Sequence, residues 1–436
     1  MKFLLQIIQK WIKLISVCAL IFILNTQAKA IYNNTSDTLK LPLPEVEKIF
    51  IEKNLSLLAS KYQIESNKAL IEQAKLWDNP MLITDQNVYS NNHFFEHGKD
   101  AAGQIKGTYF IQIQQLIKTA GKRSKLINLA TTNSKISELQ FLEVMRNLKY
   151  QLRSDYYSIA QLLAVHELYN NELSILNKLL SGMNTQLQSG NIAKKEYLRI
   201  QALIISLQQD LTESDKQLAD IEMEMKNLLQ MTNNVFIAPI NISRETELKS
   251  FVIESLLDEA KKYNTAYLIE QTQLLYQQQN LSYQKALKSP DLTIGPEYDH
   301  NSSYTPRYLG FSVSLPLNIF NKNQGNIKSA QANIKQEETV LLNTEQQLIN
   351  AVQNTLNKLI ATAKLSESTQ KEFYTNYELL YTNIAESYRQ RQISLIEFID
   401  FFDAYKDVQL KLFQQQLNFH LAKEDMNYQV GKDVAN

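Results

Sequence analysis

Two long stretches of this sequence contain neither glycine nor proline, the two residues that most often end a helix. They cover residues 122–181 and 326–430. A continuous α-helix of about 60 residues extends ~90 Å, several times the length of a usual globular helix. The whole chain of 436 residues has only 10 Gly and 8 Pro, so tight turns are rare. The sequence therefore predicts long helical rods rather than a fold of many short elements.

Mostly apolar residues on both sides of Gly190 repeat at the spacing of a coiled coil, in steps of three, four or seven. Gly190 separates two such seams, and glycine readily accepts the left-handed conformation that ends a helix. We therefore expect two antiparallel helices joined by a hairpin at Gly190. The first seam contains Leu152, Tyr156, Ile159, Leu163, His166, Leu173, Leu180 and Leu187, and the second contains Ile204, Leu207, Leu211, Ser214, Leu218, Ile221, Met225 and Leu228.

The first thirty residues have the organisation of a secretory signal. Lysines at positions 2, 10 and 13 precede an apolar run from Leu14 to Leu24, and Ala28-Lys29-Ala30 follows as a cleavage site. We predict a signal peptide over residues 1–30. A lipoprotein signal with Cys18 as the lipidated residue is the alternative, although Val17 stands where a small residue is expected. Removal of residues 1–30 would leave a slightly acidic chain without cysteine, which excludes disulfide and thiol chemistry.

Charge and composition exclude one class of function. The chain has 45 Lys and Arg against 45 Asp and Glu, whereas a nucleic-acid binder needs a basic excess to displace counterions from phosphates. Asn and Gln make up nearly a fifth of the residues, so the polarity is mostly amide. We expect no nucleic-acid partner.

The order of elements occurs twice, at a spacing of about 200 residues. Asn79-Pro80 precedes an extended stretch in one half, and Ser289-Pro290-Asp291 precedes another in the second half. The segments 189–198 and 390–399 align without gaps. We predict a first repeat over residues 31–240 and a second over 241–436. Each would contain a helix, two strands, a very long helix, a short break and a long helix.

The predicted strands have two chemically different faces. In one of them, apolar Leu309, Phe311 and Val313 alternate with small residues. This pattern fits a half-buried strand of a soluble sheet or a barrel strand between lipid and water. The predicted export, and the lack of any stretch of transmembrane-helix length beyond residues 1–30, favour the barrel strand. Four strands cannot close a barrel, whereas three copies supply twelve, so a homotrimer is the simplest closure.

Three motifs resemble those of a known family. The segment 315–327 contains Pro-Leu, an aromatic residue and Asn-Lys-Asn-Gln-Gly at the start of a long helix. Ala120-Gly121-Lys122-Arg123 forms a Gly-Lys-Arg turn, and Leu76-Trp77-Asp78-Asn79-Pro80 places Asn-Pro before the first strand. With these motifs the mature chain resembles the TolC-type outer-membrane efflux channels, and more narrowly their CzcC-like heavy-metal branch.

The resemblance implies a mainly α fold with β structure. Long antiparallel coiled-coil helices would form an α-barrel, and four strands per protomer would contribute to a trimeric twelve-stranded outer-membrane β-barrel. A mixed belt around the tunnel would contain Met231–Ser250 and the C-terminal tail. The implied function is a passive conduit for heavy-metal cations, placed in outer-membrane lipid and extending into the periplasm. Its implied partners are a periplasmic adaptor protein and an inner-membrane pump of the resistance–nodulation–division type.

The resemblance also implies site residues. Acids that narrow the periplasmic tip fall on Glu397 and Asp400, and Asp403 lies one helical turn later. The competing interpretation is that these acids only solvate a helix face. The adaptor would contact the two hairpin breaks. Those breaks comprise Ser189, Gly190, Asn191, Arg391 and Gln392.

Arg391 departs from the family pattern, which has glycine at the second break. Either a non-glycine residue takes the left-handed conformation there, at a cost of ~1 kcal/mol, or the turn is shifted. The residues that dock the adaptor depend on which of the two holds.

Other functions compete with the channel. A channel for type I protein secretion or drug efflux has the same architecture, and a soluble periplasmic coiled-coil scaffold is the alternative of another class. The string His93-Phe94-Phe95-Glu96-His97 matches a zinc-peptidase motif, yet it lies between two strands in an expected loop. Gly121-Lys122-Arg123-Ser124 lacks the first glycine of a phosphate-binding loop. His166 lies on the helical seam. We therefore expect no enzyme, no catalytic residue, no metal site and no cofactor.

Overall fold

The computed structural model describes residues 37–90, 92–231, 235–242, 251–302, 305–365 and 369–435. The predicted signal peptide, including Cys18, lies outside the described residues. Part of the predicted belt segment Met231–Ser250 also lies outside them. The chain has the predicted mixed architecture, in which long helices carry a small antiparallel sheet at one end.

The described chain contains nine helices and ten strands. The helices are α1 (Leu43–Lys53), α2 (Leu55–Lys75), α3 (Lys122–Gln188), α4 (Lys194–Leu229), α5 (Ile253–Tyr263), α6 (Thr265–Ala286), α7 (Gln324–Lys364), α8 (Thr369–Arg389) and α9 (Leu395–Val430). The strands are β1 (Asp37–Leu41), β2 (Met81–Gln86), β3 (Tyr89–Ser90), β4 (His93–Phe94), β5 (Gly98–Lys99), β6 (Ile105–Lys106), β7 (Tyr109–Ile117), β8 (Val235–Pro239), β9 (Leu292–Asn301) and β10 (Pro306–Ser314).

Helix α3 is the longest element, with 67 residues, and extends ~100 Å. Helix α2 packs along its first part, and α4 folds back along its last part. All residues of the two predicted seams are buried or half-buried, which confirms the coiled-coil prediction. In the second half, α7 and α8 together occupy the place of α3. None of the helices in the described ranges has the length and apolar character needed to cross a membrane.

The junctions between consecutive helices are built alike in the two halves. The side chain of Asn54 caps α2 by accepting from the Leu57 amide, and its amide group donates to the Leu228 carbonyl at 2.8 Å. Asn264 caps α6 through the Tyr267 amide and donates to the Gln429 carbonyl at 2.9 Å. Each asparagine thereby ties a short helix to the end of its own hairpin. This correspondence accords with two repeats, while their boundary at residue 240 stays a prediction.

The middle of α3 is surrounded by a layer of short elements. Strands β1 and β8 pair in parallel, α1 packs on α3 and α4, and α5 packs on α7 and α9. Arg153 of α3 joins them, because its guanidinium donates to Glu47 of α1, to Glu424 of α9 and to both carboxylate oxygens of Asp433 in the tail. The described parts of the predicted belt therefore lie halfway along the rod.

The main sheet has four antiparallel strands in the order β10-β9-β7-β2. They are the four strands that the sequence predicts after Asn79-Pro80 and Ser289-Pro290-Asp291. Two small antiparallel pairs, β3 with β4 and β5 with β6, lie in the loop between β2 and β7. These pairs and the β1–β8 pair are additional to the prediction. The main sheet is open in a single chain.

Candidate functional site: a two-faced sheet and a helical tip

One face of the main sheet is apolar and exposed. Register aligns Leu309 with Tyr298 and Ile111, and Leu82 with Ile113, and directly opposed residues point to the same face. The side chains of Leu309 and Phe311 are 77% and 62% exposed. A contiguous apolar face of this kind is uncommon on soluble monomers and indicates contact with lipid or with another protein.

The opposite face of the sheet is polar and internally bonded. The Gln112 amide donates to Glu297 at 3.0 Å and also to the Ser312 hydroxyl. The Gln114 amide donates to Gln112 at 2.8 Å. Because register places Ser312 opposite Gly295, the face combines small residues with amides and a carboxylate. Such a surface can stay in contact with water while the other face does not.

Both edges of the main sheet are available for pairing. In the described part of the chain, β2 bonds only to β7, and β10 bonds only to β9. An unpaired strand edge presents free amide and carbonyl groups and readily accepts a further strand. The aromatic side chains of Tyr109, Tyr298 and His300 cluster at one end of the sheet, and Phe320, 91% exposed, follows β10 at the other.

A bonded junction connects the sheet to the rods. Lys122, at the start of α3, is buried and donates to Asp291 at 2.6 Å and to the Ser289 carbonyl at 2.7 Å. Arg123 donates to the Lys75 carbonyl and stacks its guanidinium 4.5 Å from the Trp77 ring centroid. The Gly-Lys-Arg segment is therefore a structural joint between the two halves.

At the other end of the rods, the two hairpin breaks have the same turn. Gly190 and Arg391 both have left-handed backbone, with φ of 72° and 58°. The following amides, of Asn191 and Gln392, each donate 2.9 Å to the carbonyl five residues earlier, which is the Schellman ending of a helix. Arg391 thus takes the left-handed conformation, and the turn is not shifted. Ser189 and the other break residues are all exposed.

The predicted constriction acids lie on the first turns of α9. This helix buries Leu395, Phe398, Phe402 and Tyr405 against the rods. Glu397 and Asp400 are exposed on the other side, and Asp403 is half-buried, 3.6 Å from Lys406.

Glu397 also has a local structural partner. Its carboxylate accepts from the Ser394 amide at 2.7 Å, and the Ser394 hydroxyl accepts from the Glu397 amide, so the pair forms a capping box. The bond from the Ser394 backbone, followed by the one to its side chain, lowers the pKa of Glu397. Glu397 therefore stays ionised at neutral pH.

A buried acid near the tip is absent from the sequence-based predictions. Glu172 of α3 is 0% exposed, and neither carboxylate oxygen has a hydrogen-bond partner among the described residues. The sequence contains a signal for it, because Glu172 interrupts an apolar series at steps of three and four. The other members of that series are Val165, Tyr169, Leu176, Leu179 and Met183.

The zinc-peptidase-like string 93–97 lies on the surface, and His166 makes contacts within the rods. His93 and His97 are exposed in the loop of small strands, and Glu96 pairs with Lys106 at 3.4 Å. His166 is half-buried and contacts Asn170 and Asp215. Within the described ranges, no group of three or more His, Cys, Asp or Glu side chains is arranged to hold a metal ion.

Comparison with known proteins finds a match to one protein family. Residues 48–229 match the family model described as outer membrane efflux protein. None of the curated proteins searched matches the chain by sequence at a significant level.

Solved structures show the fold over nearly the whole chain. A membrane protein from Pseudomonas aeruginosa has a TM-score of 0.72 and 13% identity, covering 92% of this chain and 92% of that chain. CusC has a TM-score of 0.72 and 13% identity, covering 92% of this chain and 96% of its own. The outer membrane protein VceC from Vibrio cholerae has a TM-score of 0.69 and 13% identity, with coverage of 89% and 96%. The chain has the fold of these membrane channel proteins.

Proposed function

We propose that the chain is the outer-membrane channel of a tripartite efflux system and works as a homotrimer. One observation carries the proposal: a sheet with an apolar face, a polar face and two unpaired edges stands on a rod of ~100 Å. Three such sheets, joined edge to edge, would form a closed wall with lipid outside and water inside. The match of residues 48–229 to outer membrane efflux proteins supports the same function.

The helical part would be the periplasmic tunnel. A rod of this length reaches far across the periplasm, and amide-rich helix faces can line a hydrated duct without fixing a strong charge. The proposal assigns no catalytic residue to the chain. Energy would come from an inner-membrane pump of the resistance–nodulation–division type, and a periplasmic adaptor would open the tip by contacting the hairpin breaks around Gly190 and Arg391.

The tip would be narrowed by the acids of α9. The exposed positions of Glu397 and Asp400, opposite the buried side of the helix, accord with this role. Threefold symmetry would bring their carboxylates together, so the ring would attract cations and would favour closure only when solvated or ion-bound. Asp403 is a weaker member, because it contacts Lys406 on its own helix.

We propose heavy-metal cations as the cargo. The support is the resemblance of segment 315–327 and of the Gly-Lys-Arg turn to the heavy-metal branch of TolC-type channels. Selection among ions would take place mainly in the pump, because a passive conduit needs only a wide, hydrated passage.

The test is expression of the full chain followed by membrane fractionation. We expect a trimer in the outer-membrane fraction that resists detergent without heating and dissociates on heating, and that forms ion-conducting channels in planar lipid bilayers. A soluble monomer in the periplasm would contradict the proposal and would support a coiled-coil scaffold instead.

A further inference from the structure

Glu172 lies in an environment that disfavours its charge. It belongs to the helical stripe that packs into the apolar core of the tip, between Tyr169 and Leu176. Its carboxylate is fully buried without a hydrogen-bond donor among the described residues. The Tyr381 hydroxyl of α8 is also buried and has no hydrogen-bond partner among the described residues. Its pKa is raised by burial and by the charge of Glu172. An ionised carboxylate is costly in such a place, whereas a protonated one is much less so.

Charged groups on the neighbouring helices act on Glu172 in both directions. Burial is the largest cause that raises the pKa of Glu172, to about 8, and Lys406 of α9 acts in the opposite direction. Asp403 and Asp407 of α9 and Asp210 of α4 raise it further. The charge of Lys406 does not compensate Glu172 alone, because its ammonium also lies 3.6 Å from the Asp403 carboxylate. Glu172 is therefore largely neutral at pH 7.

We propose that Glu172 is a proton-binding site that latches the tip, and that loss of its proton favours separation of α3 from α8 and α9. The inference rests on the proposed channel function and adds a ligand, the proton, that controls it. The step is a simple acid dissociation, in which the carboxyl O–H bond breaks and water accepts the proton.

The direction of the pH effect follows from linkage. In the folded tip, Glu172 keeps its proton up to a higher pH than an ordinary carboxyl does. In an unfolded or opened tip its carboxyl is ordinary and releases the proton at lower pH. The closed packing is thus fully stabilised below the ordinary carboxyl pKa, weakens as pH rises and has lost this contribution above a pH of about 8. Once ionised, the carboxylate is attracted by Lys406 and repelled by Asp403 and Asp407. Hydration would stabilise the charge further, and it requires the helices to part.

Conductance of the full-length trimer in planar bilayers at about pH 6 and about pH 9 tests the latch. We expect the open fraction of the wild type to rise with pH below the pKa of Glu172, by up to about tenfold per unit for each protomer that releases its proton. Glu172→Gln, the neutral isostere of the protonated acid, should stay closed and lose this response. Glu172→Met, neutral and apolar, is the second variant in case glutamine perturbs folding.

Asp155→Asn is the matched control. Asp155 lies on the same helix, is buried with one unpartnered oxygen, and has a pKa that burial raises to about 7, so it titrates in the same range. Because Asp155 lies in the layer of short elements halfway along α3 and not at the tip, the Asp155→Asn variant should retain the pH response. A response that survives in both Glu172 variants, or disappears in Asp155→Asn instead, would overturn the inference.

Infrared difference spectroscopy of the trimer separates this inference from the proposed function. Asp155 contributes to the protonated-carboxyl absorption in the same pH range. The part of that absorption that disappears between about pH 6 and about pH 9, and that is missing in Glu172→Gln but kept in Asp155→Asn, supports the proton site. If that band titrates while no variant conducts at any pH, the channel function is contradicted and the proton site stands. If Glu172 is already ionised at about pH 6, the inference fails even where the trimer conducts.

Discussion

Arg391 illustrates how a non-glycine residue can occupy a turn without changing its conformation. Its left-handed backbone and the hydrogen bonds that follow it match those at Gly190. A non-glycine residue in this conformation costs ~1 kcal/mol. The Schellman bonds and the buried contacts of Leu395 and Phe398 on the next helix offset that cost, so the hairpin closes in the same place in both halves.

Neutralising the proposed acid ring should widen the tip. Removing the cap with alanine would also cost about 1 kcal/mol of helix stability, whereas glutamine can retain the capping box. We therefore expect Glu397→Gln with Asp400→Asn to raise conductance in planar bilayers and to weaken block by divalent cations, because the ring loses its charge.

Glu196→Gln serves as the control for that experiment. Glu196 lies in the first turn of α4, the position that corresponds to Glu397 in the first hairpin. It should leave conductance and block unchanged. Unaltered conductance and block in the double variant would show that Glu397 and Asp400 only solvate the helix.

Two ion pairs lie at the junction between the long helix α3 and the main sheet. Lys122 is buried and bonds across the two halves, from the start of α3 to the residues before β9. Close by, Lys118 pairs with Asp78 at 3.0 Å, yet both side chains are about a third exposed. The two ion pairs have similar chemistry and different solvation, so they should contribute very differently to stability.

Lys122→Met should lower the free energy of unfolding by about 1.5–3 kcal/mol, because Asp291 and the Ser289 carbonyl lose a charged donor in a buried place. Lys118→Met should cost less than about 1 kcal/mol, as surface pairs do. Thermal unfolding of the purified trimers measures both. Equal shifts for the two variants would mean that the buried joint adds nothing specific.

At the level of the whole molecule, the main sheet leaves an apolar face and two strand edges uncovered in a single chain. Its apolar face is exposed along β10 and its outer strands lack neighbours on one side in the described chain. Lipid and a second copy would cover both features together. The face that a residue occupies should therefore decide whether a charge is tolerated.

Phe311→Lys should reduce trimer assembly in membranes, because a lysine on the lipid side of a barrel costs about 2–4 kcal/mol near mid-depth. Ser312→Lys places the same charge one residue away on the polar face, near Glu297 and Gln112, and should be tolerated. The yield of heat-dissociable trimer in the outer-membrane fraction reports the difference. Equal yields would contradict the assignment of the two faces.

Local patterns in the chain predicted the rods, the Gly190 hairpin and the four alternating strands, because helix length, turn conformation and strand faces depend mainly on neighbouring residues. Only the tertiary structure showed that Arg391 adopts the left-handed conformation, that Lys122 is buried and that Glu172 has no hydrogen-bond partner among the described residues. Those features depend on groups that lie far apart in the chain, such as Asp291 beside Lys122 and Lys406 beside Glu172. Burial and the resulting electrostatics arise only when distant segments come together.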